Sequence, residues 1–304
     1  MLTQRRWLVD GALLLVAVVW GSSYLTAKDL VTTQTVLAVL ALRFGLGTVG
    51  VALFAGVRLK AQEVRIGVVL GAILSLVFVF ETFGVTRTSA TNAGLIISLT
   101  LVLTPLVDRA CVPRRFYLAA ILAMLGVALL TQGNGLSTPS LGDLLMLLAA
   151  AARAVHITAM HRLSADRPID SRRLTLIQLG TVALVFLVAS LFVGDGVADT
   201  AGALTVGGWI ELVYLALACT VLAFCVQMWA VRRTSPARVS LLLGTEPIWA
   251  AAVGVALAGD RLTTVGAAGA VLIFAATTWG RRLEETACAQ RARGTTLDPV
   301  PVVA

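Results

Sequence analysis

The chain has 304 residues, of which 58% are hydrophobic and only 13% are charged. A water-soluble domain is usually about a quarter charged and less than half apolar, so these proportions exclude a soluble globule and indicate a membrane protein. At about 20 residues per span, ten spans take roughly 200 residues and leave no room for a separate soluble domain.

Apolar stretches of membrane length recur along the chain, and each is bounded by charged residues, proline or glycine. They predict ten transmembrane helices, at residues 7–27, 35–56, 66–85, 91–110, 116–131, 141–161, 174–193, 206–230, 238–258 and 262–280. The expected fold class is therefore an all-α polytopic membrane protein. The polar segment 281–304, which contains Pro299 and Pro301, is predicted to be a disordered cytoplasmic tail.

The distribution of arginine and lysine predicts the orientation of these spans. With both termini in the cytoplasm, 19 of the 24 basic residues fall in cytoplasmic segments. Cytoplasmic loops normally carry such an excess, so the pattern favours ten spans with cytoplasmic termini. The 22 arginines against 2 lysines, with abundant Ala, Gly and Val, favour GC-rich bacterial coding and so a place in the cell (cytoplasmic) membrane of a bacterium. The net charge of +8 then follows from topology and requires no nucleic-acid partner.

The two halves of the chain resemble each other. Glu81–Ala90 aligns with Gln227–Pro236 at a constant offset of 146 residues. Because each half carries five predicted spans, an odd number, the second copy must cross the bilayer in the opposite sense. The sequence thus predicts two inverted five-helix repeats with a site between them near the membrane midplane. The repeats are expected at residues 7–132 and 141–280.

Several short motifs, in their order and spacing, resemble the EamA-type members of the drug/metabolite transporter superfamily. These motifs are Trp20-Gly-Ser-Ser23, Leu42-Arg43-Phe44, Thr88-Ser-Ala-Thr-Asn-Ala93, Glu246-Pro-Ile-Trp-Ala250 and Gly259-Asp-Arg-Leu-Thr263. The resemblance covers about residues 8–280 and implies a ten-helix secondary transporter of small metabolites, often an exporter, that works by alternating access. The chain departs from the family pattern at Asp260 and Arg153, where relatives commonly have Glu and Trp.

Ionisable residues at membrane depth are candidate functional residues, because an Arg or Glu at the centre of a spanning helix costs about 2.5 to 3.5 kcal/mol. The candidates for ion pairing or coupling are Arg43, Glu81, Arg153 and Glu246. From the helical rise, Arg43 and Glu81 share one depth and Arg153 and Glu246 another, so each couple can pair. These residues are either structural ion pairs or groups that exchange a proton or bind a charged substrate.

Polar and aromatic side chains are expected to line the cavity between the repeats. The predicted substrate-binding residues are Trp20, Ser23, Tyr24, Glu81, Asn92, Arg153, His156, Gln227, Glu246 and Trp249. Arg153 suits a carboxylate or phosphate on a substrate, or else serves as the partner of Glu246. The two histidines, His156 and His161, are five residues apart and cannot share a metal on one helix face, so no metal or other cofactor is predicted.

The main prediction is a secondary active transporter that exports small metabolites or amphipathic drugs, with protons as a candidate coupling ion. A membrane-embedded enzyme and a non-transporting scaffold are the alternatives. An enzyme would need a catalytic set such as His-Glu-x-x-His or a nucleophile beside a base, and the sequence contains no such set. The expected partners are a small-molecule substrate, the lipid bilayer and protons, while the sequence does not specify the oligomeric state.

Overall fold

The computed structural model describes residues 2–32, 34–56, 58–87, 96–109, 112–130, 140–258 and 263–294. The regular secondary structure in these ranges is helical, which confirms the all-α prediction. The helices are α1 (Leu2–Leu30), α2 (Val36–Ala55), α3 (Ala61–Val85), α4 (Thr100–Val107), α5 (Arg114–Leu130), α6 (Leu141–Ser164), α7 (Ser171–Ser190), α8 (Val197–Ala203), α9 (Val206–Ala216), α10 (Ala223–Val231), α11 (Pro236–Leu243), α12 (Glu246–Val253) and α13 (Thr264–Gly294). Wider π-helical turns follow α9 at Leu217–Leu222 and α12 at Gly254–Ala258.

Six helical stretches among the described residues are long and apolar enough to cross a membrane. They are Val36–Ala55, Ala61–Gly84, Leu141–Ser164, Ser171–Ser190, Val206–Val231 and Pro236–Leu257. Each overlaps one of the predicted spans, and a shorter apolar stretch, Trp7–Ser23, lies in the first. The predicted fourth span, 91–110, falls partly outside the described residues. The multiple apolar helices identify an integral membrane protein, while the count of ten spans stays a prediction.

Helix α13 continues well past the predicted end of the last span. The sequence predicts disorder from residue 281, but the helix extends to Gly294, so that part of the prediction is wrong. The physical reason lies in Arg281, Glu284 and Glu285, whose ion pairs with α1 and α11 hold this polar extension against the bundle. Residues 295–304 lie outside the described part of the chain.

Helices from opposite halves of the chain form the main packing contacts. α5 packs along α13, α2 along α7, and α3 along both α6 and α7. Glycines permit a close approach of α3 to α7: a Cβ added to Gly67 would lie 2.6 Å from the Cβ of Ile177, and one added to Gly71 would lie 2.5 Å from that of Thr181. Small residues allow such crossings in membranes, where helix association depends on tight packing.

A cluster of phenylalanine rings fills the core between α2, α3, α7 and α10. The fully buried ring of Phe44 lies 4.9 Å from that of Phe78, 6.3 Å from that of Phe186 and 6.2 Å from that of Phe224, measured between centroids. Offset and edge-on aromatic contacts at these separations are favourable beyond the burial of area alone. The cluster fixes the relative positions of α2, α3, α7 and α10.

The helix ends gather at two opposite ends of the bundle. At one end, Arg232 after α10 donates hydrogen bonds to the carbonyl oxygens of Ser164 and Ile169, at 3.1 and 2.6 Å. At the other end, the Asp195 amide after α7 donates to the carbonyl oxygen of Gln34 at 2.9 Å. We call the end that contains Arg232 the basic end, because the predicted cytoplasmic arginines between α6 and α7 and between α10 and α11 lie there.

Candidate functional site

Arg153 of α6 lies between two glutamates that belong to different helices. Its Nη2 is 2.5 Å from Oε2 of Glu81 on α3, and its Nη1 is 3.9 Å from Oε2 of Glu246 on α12. All three side chains are largely buried, with exposed fractions of 24%, 18% and 12% for Arg153, Glu81 and Glu246. We call these three residues the Arg153 cluster. It joins a helix of the first half of the chain to two helices of the second half.

A break in the helix positions Glu246. α11 ends at Leu243 and α12 begins at Glu246, with Pro247 in its first turn. Proline fits there because the first amide groups of a helix have no intrahelical acceptor, and the same unpaired N–H groups favour a nearby carboxylate. Half-helices that meet at membrane depth are a recurrent way to build binding sites in transporters.

Arg43 does not form the predicted ion pair with Glu81. Its Nε donates to Oγ1 of Thr220 at 2.9 Å, and its Nη2 lies 3.4 Å from the carbonyl oxygen of Cys219. The reason is the order of the helices: α3 packs along α6, so Glu81 meets Arg153, while Arg43 on α2 faces the π-helical turns after α9. Equal depth along two helices was therefore insufficient to predict the pair.

The π-helical turns supply hydrogen-bond partners that no sequence pattern indicated. The carbonyl oxygen of Cys219 accepts a bond from Nε1 of Trp20 at 2.9 Å in addition to that from Arg43. The hydroxyl groups of Tyr214 and Ser22 are also hydrogen-bonded to each other. Single π-helical turns within α-helices occur frequently at functional sites. Cys219 thus links α1 to α2, and Ser22 and Tyr214 link α1 to α9, although no local sequence pattern indicated these three residues.

The close crossing of α1 and α12 brings two predicted tryptophans together. A Cβ added to Gly21 would lie 2.7 Å from the amide nitrogen of Ala250 and 2.8 Å from the Cβ of Trp249. Trp20 is the neighbour of this glycine and packs against the ring of Phe224, with 5.6 Å between centroids. Among the described residues, buried Nε1 of Trp249 has no hydrogen-bond acceptor. The two indoles offer aromatic surface beside the Arg153 cluster.

A layer of neutral polar side chains lies beyond the Arg153 cluster toward the basic end. His156 is buried and faces Gln178 of α7, yet in the described part of the chain its Nε2 and both amide atoms of Gln178 lack a hydrogen bond of ordinary length. Oε1 of buried Gln227 on α10 likewise has no partner there. The 2.7 Å contact between His161 and Val231 aligns α6 with α10, so Gln227 lies at the depth of His156.

For the remaining predicted binding residues, the structure gives less information about a binding role. The hydroxyl of Ser23 donates to the carbonyl oxygen of Trp20, within its own helix, at 2.7 Å. The side chain of Tyr24 and the whole of Asn92 lie outside the described residues, so their assignment stays a prediction.

A second ion-pair cluster lies at the basic end. Arg238 of α11 is only 4% exposed and donates to both carboxylate oxygens of Asp10 on α1, each at 2.7 Å. It also contacts Glu284 at 3.3 Å and Glu285 at 2.7 Å on α13, and Arg281 contacts Asp10 at 3.0 Å. We call these five residues the Asp10 cluster. In the sequence these arginines indicate only membrane topology, because no local pattern predicts that α1, α11 and α13 converge.

Comparison with known proteins agrees with this architecture. The model of the EamA-like transporter family matches residues 7–132 and again residues 140–279. An uncharacterized transporter from Archaeoglobus fulgidus is 27% identical over 279 residues, which are 90% of this chain and 85% of the relative. A protein crystal structure aligns with a TM-score of 0.72 and 16% identity over 91% of this chain and 98% of its own, which shows a shared fold. The chain therefore belongs to the EamA-like transporter family of the drug/metabolite transporter superfamily, and it is an integral membrane transporter.

Proposed function

We propose that this protein is a secondary active transporter that exports small metabolites or amphipathic drugs across the cytoplasmic membrane by alternating access. The observation that carries the proposal is the Arg153 cluster, in which one guanidinium lies between carboxylates from the two halves of the chain. The excess of basic residues in the predicted cytoplasmic segments supports cytoplasmic termini.

The unequal distances within the Arg153 cluster suit an exchange of partners. The 2.5 Å contact with Glu81 is a direct charge-assisted hydrogen bond, while the 3.9 Å contact with Glu246 is looser. An unpaired charge at this depth is costly, so a proton or a charged substrate group that displaces one carboxylate shifts Arg153 toward the other. Protonation of Glu81 or Glu246 thereby couples a proton to the relative position of the two halves.

The surroundings of the Arg153 cluster support an amphipathic substrate. Trp20 and Trp249 provide aromatic faces for an apolar body. His156 and Gln227 provide polar atoms that lack hydrogen-bond partners among the described residues and can bind polar groups of a solute. The predicted residues Ser23, Tyr24 and Asn92 complete the proposed binding set, with Arg153 and Glu246 as its charged members.

Helix packing supports two inverted repeats, here proposed as residues 7–132 and 141–280. α2 packs along α7 and α5 along α13, which are the helices of the second and seventh and of the fifth and tenth predicted spans. Equivalent elements meet in this way when two copies are related by a twofold axis in the membrane plane. The Asp10 cluster then closes the basic end, so opening that end to the cytoplasm requires its ion pairs to separate.

Transport by purified protein in liposomes tests this function. Efflux and uptake are measured for a panel of amino acids, purine-type metabolites and cationic drugs at two pH gradients. We expect at least one substrate to be transported by the natural protein, and we expect Glu81→Gln and Glu246→Gln to lose the dependence on the pH gradient. Asp199→Asn, which changes an exposed carboxylate of α8, is the matched control.

Two results would overturn parts of the proposal. Full pH-gradient dependence in both glutamine variants would exclude proton coupling through Glu81 or Glu246. Transport of the preferred substrate only toward the cytoplasm under physiological gradients would exclude export.

A further inference from the structure

A groove at the basic end has an apolar part and a charged part, as a phospholipid does. It encloses about 830 Å³ between the end of α2, the start of α7 and the end of α10. Its lining includes Phe54, Asp170, Arg172, Cys225, Trp229 and Arg233. A volume of this size lies within the range of small-molecule sites, which is about 300 to 1,000 Å³.

The groove changes from apolar to cationic along α10 and the turn that follows it. Cys225 and Trp229 lie four residues apart on one face of α10, and Arg233 follows in the turn after the helix, toward the basic end. The guanidinium of Arg233 lies 4.7 Å from the ring centroid of Trp229, and its Nη1 donates to the Trp229 carbonyl oxygen at 3.0 Å, while the side chain as a whole is exposed. On the opposite wall, Phe54 at the end of α2 is 46% exposed. The deep part thus suits an acyl chain, and the indole marks the level of the headgroups.

The polar part of the groove contains charges of both signs. Arg172 at the start of α7 is exposed, as are Asp166 and Asp170. Arg232 also lines the groove, but it is bound to the carbonyl oxygens of Ser164, Ile169 and Arg167 and to the hydroxyl of Ser171, so it supports the loop instead of binding a ligand. Arginine binds phosphate well, and carboxylates are suited to an ammonium group.

We propose that this groove binds a phospholipid with an ethanolamine headgroup. Its acyl chain lies along Cys225 and Trp229, its phosphate contacts Arg172 and Arg233, and its ammonium group lies near Asp166. Asp170 already accepts a hydrogen bond from the Arg172 amide at 2.8 Å, so the ammonium group is assigned to Asp166. An anionic headgroup without an amine offers Asp166 no cation, and a free phosphate leaves the apolar wall unused. Basic pockets between membrane helices on the cytoplasmic side are known to bind lipid headgroups.

Native mass spectrometry of the full chain, purified in detergent and stripped of lipid, tests the site. The probes are phosphatidylethanolamine, phosphatidylglycerol and inorganic phosphate. We expect phosphatidylethanolamine to bind most tightly and Arg172→Gln to weaken its binding about fivefold. Arg115→Gln, which changes an exposed arginine of α5 outside the groove, should leave the affinity unchanged.

A second variant tests the ammonium contact. Asp166 has a backbone φ of 56°, which asparagine also tolerates, so Asp166→Asn should fold and should reduce the preference for phosphatidylethanolamine over phosphatidylglycerol. Equal affinity for the two lipids in the natural protein would overturn the headgroup assignment. Competition by inorganic phosphate at the affinity of the lipid, or equal losses in the Arg172 and Arg115 variants, would overturn the site itself. These are binding measurements, so their failure is independent of the proposed transport.

Discussion

Asp10 and Arg238 are 228 positions apart in the chain, yet both oxygens of the carboxylate accept hydrogen bonds of 2.7 Å from the guanidinium. This bidentate pair joins α1 to α11, and Glu284 and Glu285 extend it to α13. A buried pair of this kind is costly to break on one side only, because the remaining charge loses its partner. The Asp10 cluster is therefore a specific place at which to test opening of the basic end.

We expect the basic end to be open for a larger fraction of the time in the Asp10→Asn variant than in the natural protein. The amide weakens the link from α1, while Arg238 keeps Glu284 and Glu285, so the protein should still fold. The measurement is the rate at which a thiol reagent supplied from the basic end labels buried Cys219, with the other cysteines replaced by serine. A loss of about 1.4 kcal/mol in the closed state corresponds to about tenfold faster labelling.

Asp199→Asn is the control for this experiment, because it removes an exposed carboxylate elsewhere. Labelling of Cys219 at the same rate in both variants would argue against a closing role for the Asp10 cluster.

Replacement of Arg153 should show that the folded protein needs this cation to stabilise the buried carboxylates of Glu81 and Glu246. Arg153→Gln leaves both carboxylates at membrane depth without that cation, and loss of one side of a buried ion pair typically costs about 3 to 5 kcal/mol. We expect a clearly lower unfolding temperature in detergent. The double variant Arg153→Gln with Glu81→Gln should recover part of the stability, while transport stays lost in both. Additive losses in the double variant would indicate that the residues do not interact.

The contact of α3 with α7 should not tolerate a side chain at Gly71. A Cβ there would lie 2.5 Å from that of Thr181 and 2.7 Å from the carbonyl oxygen of Gln178. Overpacking of this kind costs about 1 to 3 kcal/mol, so Gly71→Ala should lower the unfolding temperature. Gly45→Ala is the matched control in α2, because nothing lies within 4 Å of its added Cβ. Equal thermal stability of the two variants would contradict the described crossing.

Gln227 should affect transport and stability in opposite directions. Its Oε1 is buried without a hydrogen bond among the described residues, and such a group costs about 1 to 3 kcal/mol. Gln227→Met should therefore keep or raise the unfolding temperature while it raises the KM for transport. Thr277→Val removes a similarly unpaired hydroxyl in α13, away from the site, and should change stability without changing KM. A KM unaffected by Gln227→Met would remove this residue from the proposed binding set.

Glu81 illustrates which part of the candidate site could be predicted from the sequence. Its occurrence in an apolar span marked it as a candidate, because a charge at membrane depth is costly and its place within an apolar run can be read from the local sequence. Arg153 and Glu246 were candidates for the same reason, and the structure brings them together with Glu81. The partner of Arg43 could not be predicted in this way, since depth along a helix does not specify which neighbouring helix a side chain faces.

The sequence by itself determined that the chain is helical, lies in a membrane and belongs to a transporter family, because apolar run length and short motifs are local properties. Only the tertiary structure decided that Glu81 pairs with Arg153 and that α13 continues beyond residue 281. It also decided that the carbonyl oxygen of Cys219 accepts hydrogen bonds from both Trp20 and Arg43. These features depend on contacts between helices far apart in the chain. Side-by-side packing and the rotation of each helix about its axis set those contacts, and neither can be derived from the sequence of a single span.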